Sequence, residues 1–357
     1  MNDADFMRHA LSLAQNVSRA SPNPRVGCVI VKKDRIVGKG FHEKAGGPHA
    51  EAVALSEAGK DAKGATAYVT LEPCVHTDKK TPPCAQAFVK AGLSRVVVAV
   101  RDQNPKVNGR GIALLKQNGV SVAQGVLAEQ GLEVNRFFFK FASKQVPWVT
   151  LKMASTLDGK ITSNAGFVSN ASARKIVQRL RAEHDAVLVG KNTVLSDNPR
   201  LNCRLPNALQ PLKVVVDSEL ECPPTARVFS GGNAVVACTK KALGGRVQAF
   251  REKGVAVWVL PASRIGVDLE ALLDKMGQAG VLSVLLEGGG KMASSFLEQK
   301  LVDEAYFFVA PKFAGSQAVP MYDGSPLAFG GAHVAVVDDN ACFRVKGLSA
   351  VKPGHDE

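Results

Sequence analysis

The 357-residue chain contains no stretch approaching the roughly 18 uninterrupted apolar residues that a membrane span requires. Its first residues, MNDADFMRHALSLA, are acidic and amphipathic, where a secretory leader would carry a basic segment running into an apolar one. A soluble, cytoplasmic protein is expected. Cysteine is sparse, and its seven scattered residues are odd in number, which argues against a disulfide scaffold and for free thiols or metal ligands. Internal repeats and low-complexity tracts are missing as well. With 46% hydrophobic and 22% charged residues, the composition excludes disordered and fibrous classes.

Acidic residues are the short side of the charge balance. Asp and Glu total 32 against 45 Lys and Arg, a net charge of +13, which asks for an anionic partner: nucleic acid, a membrane surface or a phosphorylated small molecule. Residues 1–146 hold 21 of the basic residues but only 12 of the acidic ones, so the excess sits mainly in the first part.

The length predicts two domains. Both halves alternate short apolar runs with helical patterns, which indicates α/β architecture with largely parallel sheets. In the first half Phe6, Met7, Ala10, Leu11, Ala14 and Val17 recur at helical spacing, and 28–31, 36–37, 67–71 and 96–100 read as strands. Residues 127–141 read as one closing helix. The polar, Pro-ended stretch 143–147 places the boundary between a domain of residues 1–145 and one of 146–357. A new strand then starts at Trp148, with further strands at 186–189, 213–216, 234–237, 255–260, 281–286 and 305–309. Helices fit 171–182, 269–276 and 291–299.

The strongest chemical signal is Pro48-His49-Ala50-Glu51, followed by Glu72-Pro73-Cys74 and Pro83-Cys84. One imidazole and two thiolates make a three-ligand zinc set with a fourth position left for water. Residues two apart on a helix diverge by about 200°, so His49 and Glu51 converge only at a helix entrance, which Pro48 suits. Cys84 opens an apolar helix-like run whose dipole would favour its thiolate. Glu51 is then free to shuttle a proton from water to a leaving amine. A closed structural zinc site with His76 as fourth ligand is the plainer alternative, although such a site has no use for Glu51. Cys28, inside an apolar strand, reads as core.

The arrangement resembles the H-x-E…P-C-x-x-C pattern of zinc base deaminases, but the second cysteine lies ten positions after the first instead of three. With that long spacing, Ser21-Pro22-Asn23-Pro24-Arg25-Val26-Gly27, Gly40-Phe41-His42, Pro48-His49-Ala50-Glu51-Ala52 and the Glu72-Pro73-Cys74…Thr81-Pro82-Pro83-Cys84 loop resemble the bifunctional riboflavin-biosynthesis deaminase/reductase family. The resemblance implies a cytidine-deaminase-like three-layer domain that removes the ring amine of a pyrimidine ribosylamine phosphate. It further implies zinc on His49, Cys74 and Cys84, proton transfer by Glu51, and substrate contacts from Asn23, His42, His76, Lys79 and Asn104. The family loop usually holds one residue fewer between the cysteines.

In the second half an apolar strand runs into Glu287-Gly288-Gly289-Gly290-Lys291 and a helix, a turn that suits either a phosphate or simple tight packing. It is neither G-x-G-x-x-G nor a P-loop, which argues against a standard Rossmann or Walker site. Residues 151–160 (LKMASTLDGK), 180–183 (LRAE) and 189–201 (VGKNTVLSDNPRL) are similar to the same family's reductase domain, so the resemblance covers nearly the whole chain. It implies a dihydrofolate-reductase-like domain that uses NADPH to reduce a ribosyl group to ribityl. Cofactor contacts then fall on Ala154, Phe167, Thr193, Asp197, Gly289, Gly290, Lys291, Met292, Ala293, Ser294 and Ser295. Substrate contacts fall on Arg181, Leu201, Arg204, Ser218 and Glu287, and Lys152 polarises the sugar carbon being reduced. The family's Gly-Glu-Ser-x-Trp segment is replaced by the shorter 163–167, which lacks the Trp. Read alone, Lys152 and Arg181 could equally be surface charges and Asp158 and Asp197 turn residues.

The expectation is thus a cytoplasmic, homo-oligomeric enzyme acting on a small phosphorylated pyrimidine, with zinc and NADPH and without membrane association. A nucleic-acid (tRNA) base deaminase with an accessory α/β domain is the alternative, and a catalytically dead zinc-stabilised protein a more distant one.

Overall fold

In the computed structural model, which describes residues 1–17, 20–75, 83–104, 106–161 and 168–350, the chain divides into Met1–Gln145 and Val146–Glu357.

The first unit is built on a five-stranded sheet of order β2-β1-β3-β4-β5, comprising β1 (Gly27–Lys32), β2 (Arg35–Phe41), β3 (Thr66–Leu71), β4 (Arg95–Val100) and β5 (Ser121–Gln124). β1 pairs antiparallel with both β2 and β3, and β3, β4 and β5 are parallel. Helices α1 (Asp3–Gln15), α2 (Ala50–Ala58), α3 (Cys84–Lys90), α4 (Arg110–Gln117), α5 (Ala128–Val134) and α6 (Arg136–Lys144) accompany it. α1 starts where Asn2 and Asp5 form a reciprocal capping box, and it buries Phe6, Met7, Ala10, Leu11 and Ala14.

The segment expected as one closing helix is two. Asn135 interrupts it (φ −110°, ψ 19°), because its amide is committed to Arg25: Arg25 N–H donates to Oδ1 at 2.8 Å and Nδ2 donates to Arg25 O at 2.9 Å. Glycine matters where α2 lies on the sheet. A Cβ at Gly40 would come 2.3 Å from Ala50 O, the first residue of α2. Gly40→Ala is therefore expected to cost about 1–3 kcal/mol through overpacking, read as an earlier urea-unfolding transition of this unit.

The second unit carries a nine-stranded sheet. Its strands are β6 (Trp148–Thr156), β7 (Ala186–Gly190), β8 (Leu212–Val216), β9 (Ala234–Cys238), β10 (Ala256–Val259), β13 (Ser283–Leu286), β14 (Glu304–Ala310), β15 (Leu327–Val337) and β16 (Asn340–Ala350), with β11 (Ala262–Ser263) and β12 (Gly266–Val267) forming a separate small hairpin. The order is β10-β9-β8-β7-β13-β6-β14-β16-β15, parallel as far as β14 and antiparallel for β16 and β15. The helices are α7 (Ala171–Glu183), α8 (Lys191–Asp197), α9 (Gly244–Glu252), α10 (Leu269–Gln278) and α11 (Gly290–Glu298). Side chains on β6 alternate, so Lys152 and Ala154 share one face, opposite Tyr306 and Phe308 of β14 in register. Among the described residues no helix is long and apolar enough to cross a membrane.

Candidate active sites

In the first unit, His49 is the N-cap residue of α2 (φ −72°, ψ 154°), so the chain turns between His49 and Glu51 as their chemistry requires. Cys74 follows β3, and Cys84 is the first residue of α3. His49 Nδ1 lies 3.2 Å from Cys84 Sγ and 3.7 Å from Cys74 Sγ, and the three donor atoms all fall within 4.8 Å of one another. Tetrahedral zinc, with bonds of about 2.05 Å to nitrogen and 2.3 Å to sulfur, sets such donors about 3.6 Å apart. The donor set fits that ion.

The two sulfurs titrate as a pair. A bond from the Cys84 thiol pulls Cys74 down to about 3, and the same bond, with burial, pushes Cys84 up. The α3 entrance acts on Cys74 instead of on Cys84: the Cys84 N–H points at Cys74 Sγ across 3.5 Å. Glu51 is 4% exposed, and burial pushes its carboxyl up, with the Cys74 charge adding to that and His49 opposing it.

Around this cluster, buried His42 stands with its ring 5.5 Å from that of His49. Its Nδ1 is 3.0 Å from Pro48 O, which can only accept, so Nδ1 carries the proton and Nε2 accepts from Asn23 Nδ2 at 2.9 Å. His42 thereby ties Asn23 to the residue just before His49. Asn104 sits in the turn after β4, its Oδ1 accepting from Lys106 N at 3.0 Å. His76 and Lys79 lie outside the described residues, as do Phe167 and the 163–167 stretch.

In the second unit, Arg181 on α7 and Glu287 just after β13 form a largely buried bidentate pair, Nε–Oε1 2.6 Å and Nη2–Oε2 3.0 Å. Burial alone would raise the Glu287 carboxyl, but the Arg181 charge and hydrogen bonds, with Lys152, hold it below the ordinary range. Burial pulls the Lys152 ammonium down, with Glu287 opposing. The three predicted residues therefore meet electrostatically. Leu201 packs into the core with its backbone in the left-handed region (φ +56°), a strained state for a branched side chain.

The Thr193 hydroxyl accepts from Gly289 N at 3.2 Å, which joins two of the expected cofactor residues. Gly289 caps α11 without a side chain, and the N–H groups of Gly290 and Lys291 have no partner among the described residues. This open helix entrance fits a phosphate of NADPH. Deeper positions of the same run do other work. Ala293 is core, Ser294 Oγ holds Asp323 N at 3.2 Å, and Ser295 Oγ donates to Lys291 O. Lys291 is exposed, and Met292 would touch a Cβ at Gly190. Asp197 is exposed, its Oδ1 accepting from Ser196 Oγ, and Arg204 N donates to Gln178 Oε1. Ser218 Oγ accepts from Val267 N at 3.2 Å, tying β8 to the small hairpin.

One residue named in the motif but given no role there stands out. Glu72, only 3% exposed, accepts four backbone N–H groups around the start of α4. The signal available was Gly109 before α4, a helix start with no capping side chain of its own.

Two family models match the chain: residues 1–100 match the cytidine and deoxycytidylate deaminase zinc-binding region, and residues 147–341 match the RibD C-terminal domain. A cytidine-deaminase-like, zinc-binding domain is thus joined to a RibD C-terminal, reductase domain. The riboflavin biosynthesis protein RibD of Aquifex aeolicus is 42% identical over 318 residues, 88% of either chain. The structure of Acinetobacter baumannii RibD superposes with a TM-score of 0.87 at 37% identity, covering 96% of this chain and 98% of the other. A diaminohydroxyphosphoribosylaminopyrimidine deaminase/5-amino-6-(5-phosphoribosylamino)uracil reductase from Thermotoga maritima gives 0.85 at 34% identity, with coverages of 97% and 98%. The chain belongs to the RibD family of riboflavin-biosynthesis proteins.

Proposed function

We propose that the first unit removes the ring amine of diaminohydroxyphosphoribosylaminopyrimidine and that the second reduces the ribosyl group of the deaminated product to ribityl. The observation that carries the first assignment is a His-Cys-Cys donor set with a buried carboxylate two residues from the histidine. The second domain, which the nucleic-acid alternative leaves without a use, is the part matched by the RibD C-terminal domain model.

When bound to His49 Nδ1, Cys74 Sγ and Cys84 Sγ, zinc supplies water of lowered pKa, and NADPH at the α11 entrance supplies hydride. Glu51 accepts the proton on its carboxylate and returns it to the departing amine; its burial keeps solvent out of that exchange. Asn23, His42 and Asn104 orient the pyrimidine, with His76 and Lys79 completing the set. In the second unit Arg181 and Glu287 hold Lys152 against the sugar oxygen, Leu201, Arg204 and Ser218 face the substrate, and Thr193 with the 289–291 turn anchors the cofactor. The basic excess serves phosphates on substrate and cofactor. The cytoplasm supplies both, and a homo-oligomer fits the exposed Val334 and Val336 on the outer strand β15.

Metal removal tests the division of labour. A strong chelator is expected to abolish ammonia release and leave NADPH-dependent reduction of the deaminated compound unchanged, and one equivalent of zinc is expected to restore deamination. Deamination that survives with zinc below about a tenth per chain overturns the assignment.

A further inference from the structure

Glu72 is buried without a Lys or Arg ion-pair partner among the described residues, and its two oxygens are divided between two tasks. Oε1 accepts from Gly111 N at 2.9 Å and Ile112 N at 3.2 Å, which caps α4 from the residue just after β3. Oε2 accepts from Asp102 N at 3.2 Å and Gly109 N at 2.8 Å. Those two amides bracket the turn that carries Asn104. Inside the turn, Asp102 Oδ1 accepts from Asn104 N at 2.8 Å, and Asn104 O accepts from Val107 N and Asn108 N at 2.8 and 3.0 Å. With its Oδ1 on Lys106 N, the Asn104 side chain has one group unengaged among the described residues, its Nδ2.

At its own end, Glu72 N donates to Val100 O at 2.9 Å, and Pro73 and Cys74 follow directly. The fit is close: a Cβ at Gly111 would lie 2.1 Å from Pro73 O. Four backbone amides thus satisfy both oxygens of one buried carboxyl group. A residue needed only to cap α4 would not have to span the turn as well.

The geometry points to Glu72 as a positioning residue of the deaminase site, which clamps Asp102 and Gly109 on either side of Asn104 and so holds Asn104 at a set distance from Cys74. This inference rests on the reading above in which Cys74 holds zinc and Asn104 meets the pyrimidine. A displacement of about 1 Å at such a contact lowers kcat/KM by one to two orders of magnitude.

The test is a double-mutant cycle in the full-length zinc-loaded protein with diaminohydroxyphosphoribosylaminopyrimidine as substrate, using Glu72→Gln, Asn104→Ala and the pair. Zinc content and reductase rate are followed alongside. Glu72→Gln is expected to lower deaminase kcat/KM about tenfold, chiefly through KM, with about one zinc per chain and the reductase rate unchanged. In the Asn104→Ala background the same replacement is expected to cost less than about twofold. Equal losses in both backgrounds, loss of zinc in Glu72→Gln, or an Asn104→Ala variant with wild-type kinetics each overturn the role of Glu72. A wild-type chain that does not deaminate overturns the underlying reading and this role together, before any variant is made. Should Glu72→Gln fail to fold, amide exchange on the unaltered protein decides: slow exchange at Asp102 and Gly109 is expected, and exchange at the rate of open loops overturns the clamp.

Discussion

Glu51→Gln is expected to lower the deamination rate about 10²–10⁴-fold while zinc stays at about one per chain and reduction proceeds at the normal rate. The substitution keeps the shape of the side chain and removes only its ability to take a proton. Glu51 is 4% exposed, so water cannot stand in for the lost base at that position. The zinc donors are three other residues, and His49 keeps its place at the α2 entrance through the backbone. Ammonia release and bound zinc, measured on the same preparation, check the result; turnover within about a factor of ten of wild type shows that another group moves the proton.

Breaking the Arg181–Glu287 pair has the largest expected effect in the second unit. Glu287→Ala leaves a guanidinium that is 12% exposed without its bidentate partner, at an expected cost of about 3–5 kcal/mol to that unit, together with loss of reduction. Replacing both residues by alanine is expected to cost less than the sum of the single changes, because the second removal discharges the charge stranded by the first. The pH dependence follows from the direction of the shift. Glu287 titrates lower in the folded chain than its ordinary 4.5, so the stabilisation is complete above that value and is lost as pH falls through the lower folded one. Denaturant unfolding of the four proteins checks both points, and additive losses with no pH dependence would show that the pair is not coupled.

The sequence was most legible where chemistry restricts geometry. Two functional residues separated by one position cannot share a helical face, so Pro48-His49-Ala50-Glu51 had to sit at a helix start, and α2 begins at Ala50. The central strands of both units were readable as apolar runs, among them β3, β4, β7, β8, β9 and β13, since parallel strands covered on both faces need them, whereas the half-exposed β5 was not read. What remained hidden depended on partners remote in the chain. The helix break at Asn135 arises from Arg25, 110 residues away, and nothing in 127–141 announces it. Arg181 read alone as a possible surface charge, and only folding brings it to Glu287 across 106 residues. Strands β15 and β16 escaped because 327–337 contains a Gly pair and exposes apolar residues such as Val334 and Val336, which blurs the alternation. Glu72 was visible as part of a motif, but its four amides come from a turn and helix 30 to 40 positions later.

The central claim is that one chain performs deamination and then reduction on the same phosphorylated pyrimidine. Its most direct measurement is incubation of the zinc-loaded protein with diaminohydroxyphosphoribosylaminopyrimidine, with and without NADPH, following ammonia and NADPH together. Without NADPH, ammonia release with accumulation of the deaminated ribosyl compound is predicted; with NADPH, one equivalent oxidised per product and a ribityl compound at the end. NADPH oxidation without ammonia release, or ammonia release that never leads to reduction, would contradict the account.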